Sequence, residues 1–177
     1  MRKLRTHELN RLNPDQYKKK KKIPVIVVLD NIRSCNNIGS FFRTSDALLI
    51  EAIYLCGITA TPPNKDIHKT ALDAEKNVVW HHFKQTEDAI AVLRKEGFRV
   101  FAIEQIDQSI MLPDFKPARD EKLAFVFGHE VKGIQQKVID LCDGAIEIPQ
   151  FGIKHSFNVS VCAGIVLWDI FVKLRFQ

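Results

Sequence analysis

The apolar positions of this chain fall into short continuous runs separated by polar, helix-period segments. Residues 23–29, IPVIVVL, are apolar throughout and rich in β-branched side chains, the pattern of a central strand buried on both faces. Further strands are predicted at 52–56, 78–83, 98–104, 123–128 and 145–148, the last stopped by Pro149, which has no N–H to give a ladder. Helices are predicted between them. One runs from about Asn37 to Leu49, with Phe41, Ser45 and Leu48 on one face and Phe42 beside them. Others cover 66–75, the stretch from Thr86 to a stop at Gly97, and 134–142. Ser156 and Asn158 open a last helix, apolar almost all round over 159–168 and so expected to be buried on most sides. Asn13-Pro14-Asp15-Gln16 carries the signals of a helix start, and 105–121 reads as irregular, with Pro113 and Pro117. Alternating strands and helices predict an α/β fold, a largely parallel sheet with helices on both faces.

Composition adds a boundary. The 177 residues suit one domain, with 46% hydrophobic and 27% charged residues. Residues 1–22 hold nine Lys/Arg against two Asp/Glu, a net of +7; the rest hold 17 against 19, a net of −2. The division is therefore a basic N-terminal arm, 1–22, and a folded domain, 23–177. The arm ends in Lys18, Lys19, Lys20, Lys21 and Lys22, which read equally as a site for RNA or another polyanion and as a solvated run. The arm lacks the apolar core of a secretory signal, and the last helix carries Asp169, Lys173 and Arg175, so no membrane span is expected. Cys35, Cys56, Cys142 and Cys162 lie far apart, without CxxC or Cys/His clustering; neither a metal site nor a disulfide framework is expected, and a reducing cytoplasm fits.

Candidate chemistry gathers after strand ends, where open α/β sheets bind ligands. Asn31, Arg33, Asn36 and Asn37 follow the first strand, with Arg43 further along the helix, either reaching its mouth or simply exposed. GHEVKG, 128–133, follows the fifth strand, and a glycine-containing loop, 149–158, follows the sixth. His68, Lys69 and Thr70, at the start of the helix predicted at 66–75, either meet a phosphate or are exposed polar residues. No GxxxxGK[ST] or GxGxxG occurs, which disfavours nucleotide folds built on those loops.

Three blocks, NNIGSFFRTSDA (36–47), FVFGHEVKGI (125–134) and EIPQFGIKHSFNVSVCAGIVL (147–167), resemble in sequence and order those of the SpoU/TrmH group of SPOUT RNA methyltransferases. The resemblance implies S-adenosylmethionine-dependent methylation of a ribose 2′-hydroxyl in tRNA or rRNA, without a metal. It also implies a homodimer and a C-terminal trefoil knot, which general topology rules would not suggest. By motif position, Asn37, Arg43, Glu130, Ser156 and Asn158 are the expected catalytic set, and Gly128, Ile148 and Phe157 hold the cofactor with Glu104 or Gln105 at the pocket edge. Lys18 to Lys22 and Arg33 are the expected RNA contacts. ALDA at 71–74 departs from the Gly-Ala pair frequent in relatives. A catalytically inactive RNA-binding protein of this fold and a methyltransferase for a non-RNA substrate are the alternatives.

Overall fold

Strand β1 (Ile23–Asp30) is the centre of the molecule, hydrogen-bonded in parallel to β2 (Ile50–Cys56) on one side and β6 (Leu123–Phe127) on the other. Its side chains alternate between two cores. Val25, Val27 and Leu29 join one apolar cluster, and Ile26 and Val28 the other. The computed structural model describes residues 1–5, 8–9, 11–154 and 156–176. Thr6, His7 and Asn10 of the basic arm, and His155 of the third sequence block, lie outside the described residues.

The sheet is completed by β3 (Val79–Phe83), β4 (Arg99–Ile103), β5 (Ile110–Met111) and β7 (Gly144–Glu147), in the order β3-β2-β1-β6-β4-β7-β5, with every pairing parallel. Helices α2 (Cys35–Ala47), α3 (Lys65–Ala71) and α6 (Val159–Phe176) pack on the face of Val25, Val27 and Leu29. Helices α4 (Thr86–Lys95) and α5 (Gln136–Ile139) cover the other face. This is the α/β architecture with a parallel sheet and helices on both faces that the alternation predicts. The capping signals around Asn13 also hold. Helix α1 (Pro14–Lys19) starts there, with Asn13 accepting from the Gln16 amide and the Gln16 side chain accepting from the Asn13 amide.

Four elements differ from expectation. The helix predicted at 66–75 ends at Ala71, because Leu72 and Asp73 adopt φ of 51° and 73°; a 3₁₀ turn, Ala74–Lys76, follows. Leu72 is exposed, so extending the helix would bury nothing there. His68, Lys69 and Thr70 therefore stand in the second half of a seven-residue helix, away from the N–H end that would attract a phosphate. Helix α5 is four residues, not nine. The irregular stretch 105–121 contains β5 and a 3₁₀ turn, Leu112–Asp114. Helix α6 buries only one side in this chain. Ala163, Val166, Leu167 and Ile170 are buried, while Val161 and Trp168 are 51% and 58% exposed. None of the described helices is long and apolar enough to cross a membrane.

A candidate active site at the carboxyl edge of the sheet

Strands β4, β6 and β7 all end at one cavity of about 750 Å³. Its walls are loop 128–134 after β6, the residues following β4, and Ile148, Gln150 and residues 156–159 at the start of α6. Glu104, Gln105, Gly128, Ile148 and Phe157, the five expected cofactor residues, all line it, as do Glu130, Ser156 and Asn158. Asn37 adjoins this site through hydrogen bonds to Glu130 and Asn158, whereas Arg43 lies on a different groove.

Loop 128–134 is folded tightly on itself. A side chain at Gly128 would run into the Gly133 backbone. Gly133 has φ +64° and leaves no room for a Cβ beside the Glu104 carboxylate. Glu104 accepts from the Ile134 amide at 3.1 Å and from the Gln105 amide at 2.9 Å, tying the end of β4 to this loop. Cys162, on the first turn of α6, faces the same cavity; burial, with the Glu104 charge adding to it, pushes its thiol up to about 12. It is not a nucleophile at neutral pH.

From this loop Glu130 reaches across to α2. Its carboxylate accepts from the backbone amides of Arg33 (3.1 Å) and Ser34 (2.9 Å) and from the Asn37 side-chain amide (3.0 Å). The negative charge thus sits at the N-terminal end of a thirteen-residue helix, where unpaired N–H groups and the helix dipole favour it. Partial burial opposes ionisation, but the hydrogen bonds outweigh it and hold the carboxyl below the usual carboxylate range. Glu130 holds backbone amides and Asn37, and it has no hydrogen bond or ion pair with Arg43. The Asn37 carbonyl oxygen in turn accepts from the Asn158 side-chain amide at 3.2 Å. The Asn158 oxygen accepts from the Ser160 and Val161 amides at 2.9 and 3.3 Å, capping α6. One polar chain, Glu130–Asn37–Asn158, therefore joins all three sequence blocks. Ser156 is exposed on the cavity rim.

Arg43 lies six residues beyond Asn37 on α2, about 9 Å along the axis and on another side of the helix. It is exposed and lines a separate groove of about 530 Å³ with Ser40, Thr44, Lys69, Thr70 and Trp168. The basic tract stands at the opposite, amino edge of the sheet. Lys18, Lys19 and Lys20 are exposed, and Lys21 pairs with exposed Asp120 at 3.4 Å. Lys22 is committed to the fold. Its ammonium lies over the Tyr17 ring, 2.9 Å from the centroid, and donates to the Tyr17 carbonyl. Arg33 is exposed beside Glu130.

Sequence reasoning missed the network that aims the entry to α2. Buried Asp30 accepts from the Thr86 hydroxyl (2.5 Å) and the Asn31 amide (2.8 Å). Asn31, at φ 58°, accepts from the Ile58 amide. Thr59 donates to the Leu29 carbonyl and accepts from the Ile32 amide. An Asp at the end of an otherwise apolar strand was the available signal; one of its partners, Thr86, lies 56 residues away, and Asn31 and Ile58 are 27 apart. A cluster of His68, Asp73 and Glu75, with ligand-type atoms within 4.8 Å of one another, also went unforeseen, although Asp73 is paired with Lys76 and Glu75 with His68.

Residues 24–168 match the model of the SpoU rRNA Methylase family. A protein of Staphylococcus aureus (strain MSSA476) named for the TrmH family of tRNA/rRNA methyltransferases is 28% identical over 159 residues, as are its counterparts in three other strains. The match takes in 89% of this chain and spans 62% of the length of those relatives. Among solved structures, the TrmH/SpoU tRNA modifying enzyme of A. aeolicus superposes with a TM-score of 0.79 at 21% identity, over 90% of this chain and 81% of that one. The AdoMet-bound rRNA methyltransferase of Sinorhizobium meliloti gives 0.79 at 22% identity, over 91% and 61%. These likenesses agree on the fold, and the family match runs through all three polar blocks that meet at the cavity; the chain belongs to the SpoU rRNA methylase family, the SpoU/TrmH group of SPOUT RNA methyltransferases.

Proposed function

We propose that the protein transfers the methyl group of S-adenosylmethionine to a ribose 2′-hydroxyl of tRNA or rRNA. The observation that carries this reading is the convergence of the three blocks on one cavity through Glu130, Asn37 and Asn158. The cavity suits the cofactor. Apolar Ile106, Ile134 and Ile146 line it for an adenine, and the Glu104 carboxylate and backbone groups of Gly128, Ile148 and Phe157 offer oxygens to a cationic, hydroxyl-bearing ligand. The sulfonium supplies an electrophilic methyl group; the residues have to align a poor nucleophile with it and ease loss of its proton. Glu130 and Asn37 keep loop 128–134 and α2 in register, and Asn158 holds the start of α6 against them. The planar guanidinium of Arg43 offers donors and no acceptor, so its part is to grip the adjoining phosphate and stabilise charge developing on the 2′-oxygen.

Because Arg43 lies outside the cavity of its own chain, the reading includes a homodimer. The partly exposed side of α6, with Val161 and Trp168 over a groove of about 700 Å³, is the apolar face a second copy would cover, and Arg43 borders it through Trp168. The C-terminal trefoil knot belongs to the same reading. It is supported by the family match and by the path of α6, which contacts α2 on one side while Lys173 donates to the Leu112 carbonyl on the other. The basic arm, 1–22, contributes RNA affinity, and four free thiols suit the cytoplasm. Calorimetry with S-adenosylmethionine and S-adenosylhomocysteine, paired with light scattering, tests this. The expected result is binding without added metal and a mass near twice 20.3 kDa. Folded protein that binds neither compound would refute the cofactor assignment, and a monomer at micromolar concentration the dimer.

A further inference from the structure

One wall of the cavity is fastened by a side chain that the mechanism above does not use. The backbone amides of Val131 and Lys132 both donate to Nδ1 of His129, at 3.0 and 3.3 Å. A ring nitrogen that accepts carries no proton, so a neutral His129 holds its proton on Nε2. Nδ1 is bonded to Cγ as the side-chain oxygen of an asparagine is, and the imidazole here makes the turn that Asn and Asp make with the amides that follow them.

Little else holds the tip of this loop. Val131 is 83% exposed and Lys132 is exposed, so no apolar burial fixes them. The base is fixed: the Gly133 amide donates to the His129 carbonyl at 2.8 Å, and Glu104 receives the Ile134 amide. Between the fixed base and the tip sits Glu130, whose carboxylate spans to the amides of Arg33 and Ser34. The direction in which Glu130 leaves the loop depends on the turn that the imidazole closes.

We infer that His129 is a positioning residue: through its Nδ1 acceptor it clamps loop 128–133 in the shape that walls the cofactor cavity and aims Glu130 at α2. The effect on cofactor binding rests on the function proposed above; the clamp itself does not.

The test compares wild type, His129→Ala and His129→Asn by amide hydrogen exchange and by calorimetry with S-adenosylhomocysteine. In His129→Ala the Val131 and Lys132 amides should exchange roughly tenfold faster, the size of one lost net hydrogen bond, and affinity should fall by a similar factor. The melting temperature should barely move, because the residues released are already exposed. His129→Asn, which restores an acceptor at the same bond distance, should return both quantities to within about threefold of wild type, a rescue that loss of ring packing alone would not give. Unchanged exchange in His129→Ala overturns the inference, as does an Asn variant as loose as the Ala variant. Loosened amides with undiminished affinity overturn the link to the cavity. If wild type itself binds no cofactor, the functional reading fails, and the exchange measurement still decides the clamp.

Discussion

The side-chain amide of Asn158 donates to the side-chain oxygen of Asn37 at 3.2 Å, across 121 residues of sequence. The orientation of both amides follows from their other partners. Asn37 gives its N–H to the Glu130 carboxylate, and Asn158 gives its oxygen to the first amides of α6. Asn158→Ala should therefore lose both a helix cap and the donor to Asn37, destabilising by about 0.5–2 kcal/mol and weakening cofactor binding. Asn158→Asp keeps the capping oxygen but sets an acceptor against the Asn37 oxygen. Thermal denaturation should show Asp near wild type and Ala below it, with methylation reduced in both. Equal melting temperatures for all three would remove the cap from the account.

Glu130 makes a signed prediction in pH. Its folded-state pKa is depressed, so its contribution is present above the ordinary glutamate range and is lost as pH falls through the folded value. Between about pH 5 and pH 3 the wild-type melting temperature should decline, and part of that decline should be missing in Glu130→Gln, which has no carboxylate to protonate. Parallel declines in both proteins would mean that the Glu130 bonds to α2 add nothing to stability.

Arg43 is exposed and has no hydrogen-bond or ion-pair partner among the described residues, so removing it should leave the fold unchanged. Arg43→Ala should lower the single-turnover methylation rate, at saturating cofactor and RNA, on the order of 10²–10³, with melting temperature and cofactor affinity preserved. Arg43→Lys should recover little, because an ammonium cannot reproduce the planar fork. A near wild-type rate in Arg43→Ala would reduce its part to RNA binding.

The lysine tract divides in two. Replacing Lys18, Lys19 and Lys20 should flatten the slope of log affinity for RNA against log salt by about 2, three contacts at roughly 0.7 each on single strands. Lys22→Ala should instead lower stability, since that ammonium sits on Tyr17 and donates to its carbonyl. An unchanged slope for the triple variant would make the tract a solvated run.

The centre of the sheet was readable because β1 and β6 are apolar runs buried on both faces, with Asp30 at the end of β1 as their one polar position. The five residues that motif resemblance marks for the cofactor, Glu104, Gln105, Gly128, Ile148 and Phe157, lie together on one cavity. The end of α3 was not, because Leu72 and Asp73 take left-handed conformations without a glycine to mark the break. Strand β5 was too short to show a period, and its pairing to β7 joins residues far apart in sequence. The exposure of Trp168 and Val161 was hidden for another reason. An all-apolar helix implies cover on every side, but its pattern does not say whether that cover comes from the same chain. The position of Arg43 away from Asn37 follows from their six-residue spacing on α2, but the groove it faces is formed by residues distant in sequence, Lys69, Thr70 and Trp168.

The most direct test of the central claim is methyl transfer from isotopically labelled S-adenosylmethionine to tRNA and rRNA, read by mass spectrometry of the nucleosides after complete digestion. The account predicts label in a ribose 2′-O-methyl nucleoside with wild-type protein and its near disappearance with Arg43→Ala. Label on a base or on protein, or no transfer to either RNA by a protein that binds the cofactor, would contradict it.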